Sequence, residues 1–318
     1  MARVRAVLTD DSRGGLRALG GLILATGVQV LLIRRMSFAD PWGAFPVFLL
    51  LLITTVFLYG SGFLGARWKG RVLSWQAAYM VYGLLLIPAT LAAFLDWIGG
   101  DLGSSLNLAW IFLLAAIAAL AAARLAGLRY GALLGSLALI VSWLALWDGI
   151  LSDGIDTVNR ARWLLAAVSV GLLGLSVVAS ILGGRDGWRV DIITGAGVAA
   201  VGAGALAALI LTFGGALIAP VGNAGLASVG FPVRQSAFWD IELLVVSLAL
   251  IGYAAVARVR GPGYVGAFGL LVFIYSVGLD LDDSSPAGKV LGWPLILIVI
   301  GGLLYGASVL PALRREDA

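Results

Sequence analysis

The 318-residue chain contains no cysteine and no histidine. Without cysteine it has no disulfide, no cysteine-ligated iron–sulfur cluster and no thiol nucleophile. Because histidine is missing as well, the chain lacks the side chains that ordinarily bind zinc, copper or haem iron, and it lacks the base of a Ser-His-Asp triad. The sequence therefore predicts no metal, no other cofactor and no enzyme that depends on these groups.

Charged residues are scarce too, at 12% of the chain, whereas 61% of the residues are hydrophobic. A soluble domain is typically about 45–50% apolar and about 25% charged. The apolar residues form blocks of about 16–24, long enough to cross about 30 Å of hydrocarbon as helices. The short alternating segments of a β-barrel are missing. The sequence thus predicts an all-α, polytopic integral membrane protein with short loops and no soluble domain.

We predict ten transmembrane helices in a single domain over residues 18–312, between a tail of residues 1–17 and a tail of residues 313–318. The predicted spans are 18–33, 43–65, 77–98, 106–123, 130–150, 163–183, 191–213, 238–257, 264–279 and 290–312.

The distribution of charge predicts the orientation of these spans. With the N-terminus in the cytoplasm, 15 of the 21 basic residues but only six of the 17 acidic residues fall on the cytoplasmic side. This bias predicts that both termini are cytoplasmic. The net charge of +4 is then explained by a basic face that attracts anionic lipid head groups, and it does not indicate nucleic-acid binding. The arginine-rich and alanine-rich composition favours a bacterial inner membrane.

Glu242, in the segment SAFWDIELLVVSL, is the strongest candidate for a functional group within a span. Ionisable residues inside membranes are costly and often functional. We predict that any site opens outward and includes Glu242, Asp240, Asp280, Asp282 and Arg234. The alternatives are structural: Glu242 is an acid near the interface that pairs with Arg234, and the aspartates belong to the loop before the tenth helix.

Three further segments have two interpretations each. Residues 214–237, GGALIAPVGNAGLASVGFPVRQSA, are apolar for a loop, and they either lie on the outer surface or enter the membrane as a re-entrant segment. Pro88 should kink the third helix, for gating or for packing. In TGAGVAAVGAGALAALI, small residues recur every four positions, which indicates a tightly packed helix; the glycines are not a dinucleotide fingerprint because no strand precedes them.

The segment GAFGLLVFIYSVGLDLDDSSPAGKVLGWPLILIVIGGLLYGASVLPALRRE resembles the closing helix pair of uncharacterised multi-spanning bacterial membrane proteins, to which no chemistry is assigned. Ten spans with both ends inside also resemble the drug/metabolite transporter architecture of two inverted five-helix halves, although no internal repeat is evident.

Three classes of function are compatible with this sequence. The short loops and the absence of charge at the centre of any span favour a structural or accessory membrane component, with partner membrane subunits. The second class is a secondary transporter of a small solute with an outward-facing acidic site. The third is an intramembrane glycosyl- or acyltransferase, but the loop 34–42 offers only Asp40, and histidine is missing.

Overall fold

The computed structural model describes residues 14–37, 43–151, 157–181, 186–209 and 237–279, which form nine α-helices and no strand. The helices are α1 (Gly14–Ser37), α2 (Ala44–Lys69), α3 (Ser74–Trp97), α4 (Ser105–Ala121, extended by a π-helical turn at Ala122–Ala126), α5 (Gly131–Ile150), α6 (Thr157–Ile181), α7 (Asp186–Leu209), α8 (Ala237–Ala257) and α9 (Gly261–Leu279).

Seven of these helices, α2 to α8, are long and apolar enough to cross a membrane. The apolar stretches of α1 and α9 are shorter, at Arg17–Val28 and Gly261–Ile274. The predicted all-helical fold is therefore confirmed in the described residues, with seven helices long and apolar enough to span a membrane, whereas the count of ten is not. The predicted tenth span, 290–312, lies outside the described residues.

Consecutive helices pack as antiparallel pairs: α2 with α3, α4 with α5, α6 with α7, and α8 with α9. We call the end at which α2, α4, α6 and α8 begin the upper end, and the end at which they finish the lower end. Two of the lower turns depend on glycine in a left-handed conformation, Gly70 at φ 73° and Gly127 at φ 79°. In the first of them, the Gly70 N–H closes α2 by donating to the Ala66 carbonyl at 3.0 Å.

Helix α7 lies at the centre of the second half of the bundle, where it packs against α5, α6, α8 and α9. In its apolar window 67% of the residues are buried, compared with 11–39% in the other six candidate spans. Ala196, Ala199 and Ala203 are at most 1% exposed. The small side chains let neighbouring backbones approach closely, which confirms the predicted packing helix.

Hydroxyl groups join neighbouring helices at the backbone, both within pairs and between them. The Tyr59 hydroxyl donates to the Ala118 carbonyl at 2.9 Å, the Ser142 hydroxyl to the Ala109 carbonyl at 2.8 Å, and the Ser169 hydroxyl to the Ala196 carbonyl at 2.9 Å. Such bonds between helices stabilise bundles in lipid, where apolar burial alone provides little driving force.

Pro88 lies within α3, which remains a single helix from Ser74 to Trp97. Two residues later, the Thr90 hydroxyl lies 2.7 Å from that of Thr55 on α2 and donates to the Leu86 carbonyl at 2.9 Å. The proline therefore lies beside a buried polar contact between α2 and α3.

Candidate functional site

Helix α8 begins at Ala237, so Glu242 lies about one and a half turns inside it. The side chain is half-buried, and its Oε2 atom is buried without a hydrogen-bond partner among the described residues. A buried acceptor without a donor is energetically unfavourable in an apolar environment. Glu242 is thus placed where a ligand or a proton would satisfy it.

Gly204 on α7 provides the space for this carboxylate. An idealised Cβ atom at Gly204 would lie 2.7 Å from Glu242 Oε2 and 2.8 Å from the Cβ of Leu243, both closer than real contacts. Because glycine has no side chain, α7 and α8 approach closely and the carboxylate rests against the α7 backbone. Gly204 belongs to one of the four-residue rows of small residues seen in the sequence.

Arg162 on α6 completes the site from a third helix. The side chain is only 4% exposed, and it is the nearby cation that acts electrostatically on the Glu242 carboxylate. Its guanidinium carbon lies 5.4 Å from the centre of the Trp239 ring, close enough for a cation–π interaction. Arg162, Trp239 and Glu242 therefore form a charged cluster between α6, α7 and α8, which we call the α6–α8 cluster.

Aromatic rings separate the α6–α8 cluster from the surroundings of the protein. Trp239 is 3% exposed and meets Trp163 edge to face, with ring centres 5.2 Å apart. The exposed Trp163 stacks in turn on Phe238, at 5.8 Å. Aromatic side chains of this kind are common at membrane interfaces. The cluster therefore lies at the upper end, just inside an aromatic layer.

The other arginine of this region, Arg160, is 12% exposed and forms an ion pair with a more exposed aspartate. Arg160 lies 3.1 Å from Asp148, whose side chain is 55% exposed and also accepts a 2.5 Å hydrogen bond from the Ser105 hydroxyl. Arg160 further donates to the Leu151 carbonyl at the end of α5. This pair ties together the ends of three helices, α4, α5 and α6, and does not lie among buried residues.

The structure tests the predicted site only in part. Asp240 lies on α8 near Glu242, where it is half-buried and has an interaction of its own. Arg234, Asp280 and Asp282 lie outside the described residues, as does the connection 214–236. The predicted pairing of Glu242 with Arg234 therefore stays a prediction.

Arg162 was missed by the sequence reasoning. The sixth span was predicted to begin at residue 163, so Arg162 was counted as a loop residue, but α6 begins at Thr157. The sequence signal for its position is the spacing of Arg160 and Arg162: two residues apart on a helix, they point in different directions. In a helix that begins before both of them, one of the two therefore faces the bundle.

The α6–α8 cluster contains one carboxylate on which an arginine acts electrostatically, and the carboxylate oxygen without a partner is a hydrogen-bond acceptor. The free oxygen can take a proton, an ammonium group or another hydrogen-bond donor of a small solute. Among the described residues, no three acidic side chains come together in the way a metal ion requires. No protein family, no curated protein and no solved structure matches this chain.

Proposed function

We propose that this protein is a secondary transporter of a small polar solute, with Glu242 as its central binding group. The observation that supports this function is the buried Oε2 atom of Glu242, which has no donor among the described residues although it lies beside Arg162. Ionisable groups that face the interior of a membrane bundle commonly mark the path of an ion or a substrate.

This proposal reverses the order of functions expected from the sequence. A structural or accessory component came first because no span was predicted to contain a charge at its centre. In the structure Arg162 is only 4% exposed near the start of a candidate span, and it acts electrostatically on a carboxylate of another span. A purely structural bundle gains little from such a pair, because a well-packed apolar replacement is often as stable.

The proposed orientation has both termini in the cytoplasm of a bacterium and the protein in its inner membrane. The α6–α8 cluster then opens outward, since it lies at the upper end, where α6 and α8 begin. The chain has no native cysteine, so a thiol reagent can label only the single cysteine that is introduced. An impermeant thiol reagent should label Ser284→Cys in intact cells and should leave Ala318→Cys unlabelled; the reverse pattern would invert the proposed topology.

The proposed transport is tested in proteoliposomes that contain the pH indicator pyranine. Glycine, alanine, glutamate, choline and putrescine are added outside in turn, and the internal pH is followed for wild type, Glu242→Gln and Asp148→Asn. We expect at least one solute to change the internal pH with wild type and with Asp148→Asn, and none to do so with Glu242→Gln. Equal responses of wild type and Glu242→Gln would contradict the proposal.

The second candidate is a structural or accessory component with partner membrane subunits. It is favoured by the tight contact of the three helices α7, α8 and α9, in which an idealised Cβ atom at Gly269 would lie 2.4 Å from the Ser247 hydroxyl oxygen. If wild type moves no solute, and if Arg162→Met/Glu242→Gln is as stable as wild type, the structural function is preferred.

A further inference from the structure

A cavity of about 940 Å³ opens at the lower end between two helix pairs, α2–α3 and α4–α5. The turn after α2 and the turn after α4 form its walls. Both turns contain a left-handed glycine, at Gly70 and Gly127. The cavity is therefore a feature of how two neighbouring hairpins end, and it is separate from the α6–α8 cluster at the upper end.

Four arginines line this cavity, Arg67 and Arg71 from the first hairpin and Arg124 and Arg129 from the second. All four are exposed, and among the described residues none of them forms an ion pair. Asp191, in the second turn of α7, is within electrostatic range of Arg129. The cavity thus carries a concentrated positive charge that one carboxylate offsets only in part.

The backbone does not cancel this charge. The C-terminal ends of α2 and α4 present carbonyl groups, which would repel an anion. These carbonyls already accept hydrogen bonds: Ala66 from Gly70, Ala123 from Gly127, and Leu125 from the Arg67 guanidinium at 3.3 Å. The polar surface that remains available to a ligand therefore consists mainly of guanidinium donors, with the hydroxyl-bearing residues Ser74 and Tyr130 beside them.

Below the arginines, the cavity is lined by apolar side chains. Leu73 and Leu128 are 5% and 3% exposed, and Ala66 and Ala126 are 1% and 8% exposed. A ligand that fills the cavity thus meets hydrocarbon at its base and guanidinium groups at its mouth. This arrangement fits an amphiphile with an anionic head better than a fully hydrated ion.

We propose that this cavity binds the phosphate groups of an anionic phospholipid head group. Arginine is suited to phosphate because its planar fork donates paired hydrogen bonds. Basic pockets between transmembrane helices are known to hold head groups of this kind. Four guanidinium groups from two hairpins match a head group with two phosphates, such as that of cardiolipin, better than one with a single phosphate.

The proposal is independent of solute transport, because the two sites lie at opposite ends of the bundle. The sequence predicted a basic face with its positive charge distributed over several turns. The proposal assigns lipid binding to one cavity on that face. The turn between α8 and α9 carries Arg258 and Arg260, both exposed, on the same predicted face. Neither lines the cavity, so this pair gives a control of equal charge.

The test compares Arg71→Gln/Arg124→Gln with Arg258→Gln/Arg260→Gln in full-length protein in detergent. Neither Arg71 nor Arg124 has a side-chain hydrogen bond or ion pair within the described residues, so the first variant should fold normally. Cardiolipin, phosphatidylglycerol, phosphatidylcholine and inorganic phosphate are titrated separately, and native mass spectrometry counts the bound molecules. Thermal unfolding without lipid checks the fold of each variant.

We expect wild type to retain one cardiolipin at least tenfold more tightly than phosphatidylglycerol, and to retain no phosphatidylcholine. Arg71→Gln/Arg124→Gln should weaken cardiolipin binding at least tenfold, and the control pair less than twofold. Equal weakening by both variants would mean general attraction to a basic face and would overturn the site. Inorganic phosphate that competes at the same concentration as cardiolipin would overturn the lipid as its ligand.

Discussion

The two ends of the bundle use arginine in different ways. At the upper end, Arg162 is 4% exposed, and its guanidinium lies against Trp239 and acts electrostatically on Glu242. At the lower end, four exposed arginines surround an open cavity of about 940 Å³. A buried charge depends on its partner, whereas an exposed one is stabilised by water. The upper arginine should therefore govern stability, and the lower four should govern binding.

The largest expected effect follows from removing the buried charge at the upper end. Arg162→Met keeps much of the side-chain volume but leaves the Glu242 carboxylate buried without its nearby cation. Breaking a buried pair in this way costs about 3–5 kcal/mol of folding free energy. Thermal or denaturant unfolding in detergent measures the loss.

Asp148→Asn is the matched control, because it removes the charge of an aspartate that is 55% exposed in its pair with Arg160, and it should cost about 0–1 kcal/mol. The double variant Arg162→Met/Glu242→Gln should recover most of the loss, since it removes both charges. Equal stability of Arg162→Met and Asp148→Asn would remove the distinction between the two arginines.

The second effect tests the close approach that positions Glu242. Gly204→Ala introduces a Cβ atom 2.7 Å from Glu242 Oε2 and 3.2 Å from the Trp239 carbonyl oxygen, so α7 and α8 must move apart. Overpacking of this kind costs about 1–3 kcal/mol. The shift in the midpoint of thermal unfolding gives the size of the effect.

Gly202 on the same helix is the control, because a Cβ atom there meets only Leu165 at 3.7 Å, an ordinary contact. Gly202→Ala should be neutral or stabilising by up to about 1 kcal/mol, since alanine favours the helix. If Gly204→Ala and Gly202→Ala shift the midpoint of thermal unfolding equally, the steric account of the α6–α8 cluster is wrong.

A third comparison uses uncharged polar groups in the middle of the bundle. Thr55→Val removes the 2.7 Å contact with Thr90 on α3, and Thr54→Val removes only a bond to the Leu50 carbonyl of the same helix. Bonds between transmembrane helices average about 0.6 kcal/mol. We expect Thr55→Val to lose about that amount relative to Thr54→Val, as measured by unfolding in detergent; the opposite order would indicate that Thr55 does not join the helices.

The sequence predicted the positions of helices α2 to α8 but not the arrangement of the candidate site. Composition and block length predicted helices that match α2 to α8 within several residues, because membrane burial requires long apolar runs. The small residues of α7 predicted its close packing. The electrostatic effect of Arg162 on Glu242 joins residues 80 positions apart. It depends on how α6 and α8 pack against α7, which no local pattern encodes. Because charges were counted loop by loop, Arg160 and Arg162 were also treated as equivalent, although they have different partners in the structure.

The smallest expected change in stability belongs to the lower end and sharpens the contrast between the ends. Arg71→Gln/Arg124→Gln removes two positive charges, yet both side chains are exposed and make no hydrogen bond or ion pair within the described residues. Surface substitutions of this kind usually change stability by less than about 0.5 kcal/mol. In lipid-free detergent, the variant should therefore have the same unfolding midpoint as wild type. If cardiolipin raises the unfolding midpoint of wild type and not of this variant, the lower arginines act through a ligand. A large loss of stability without lipid would instead show that these arginines hold the two hairpins together directly.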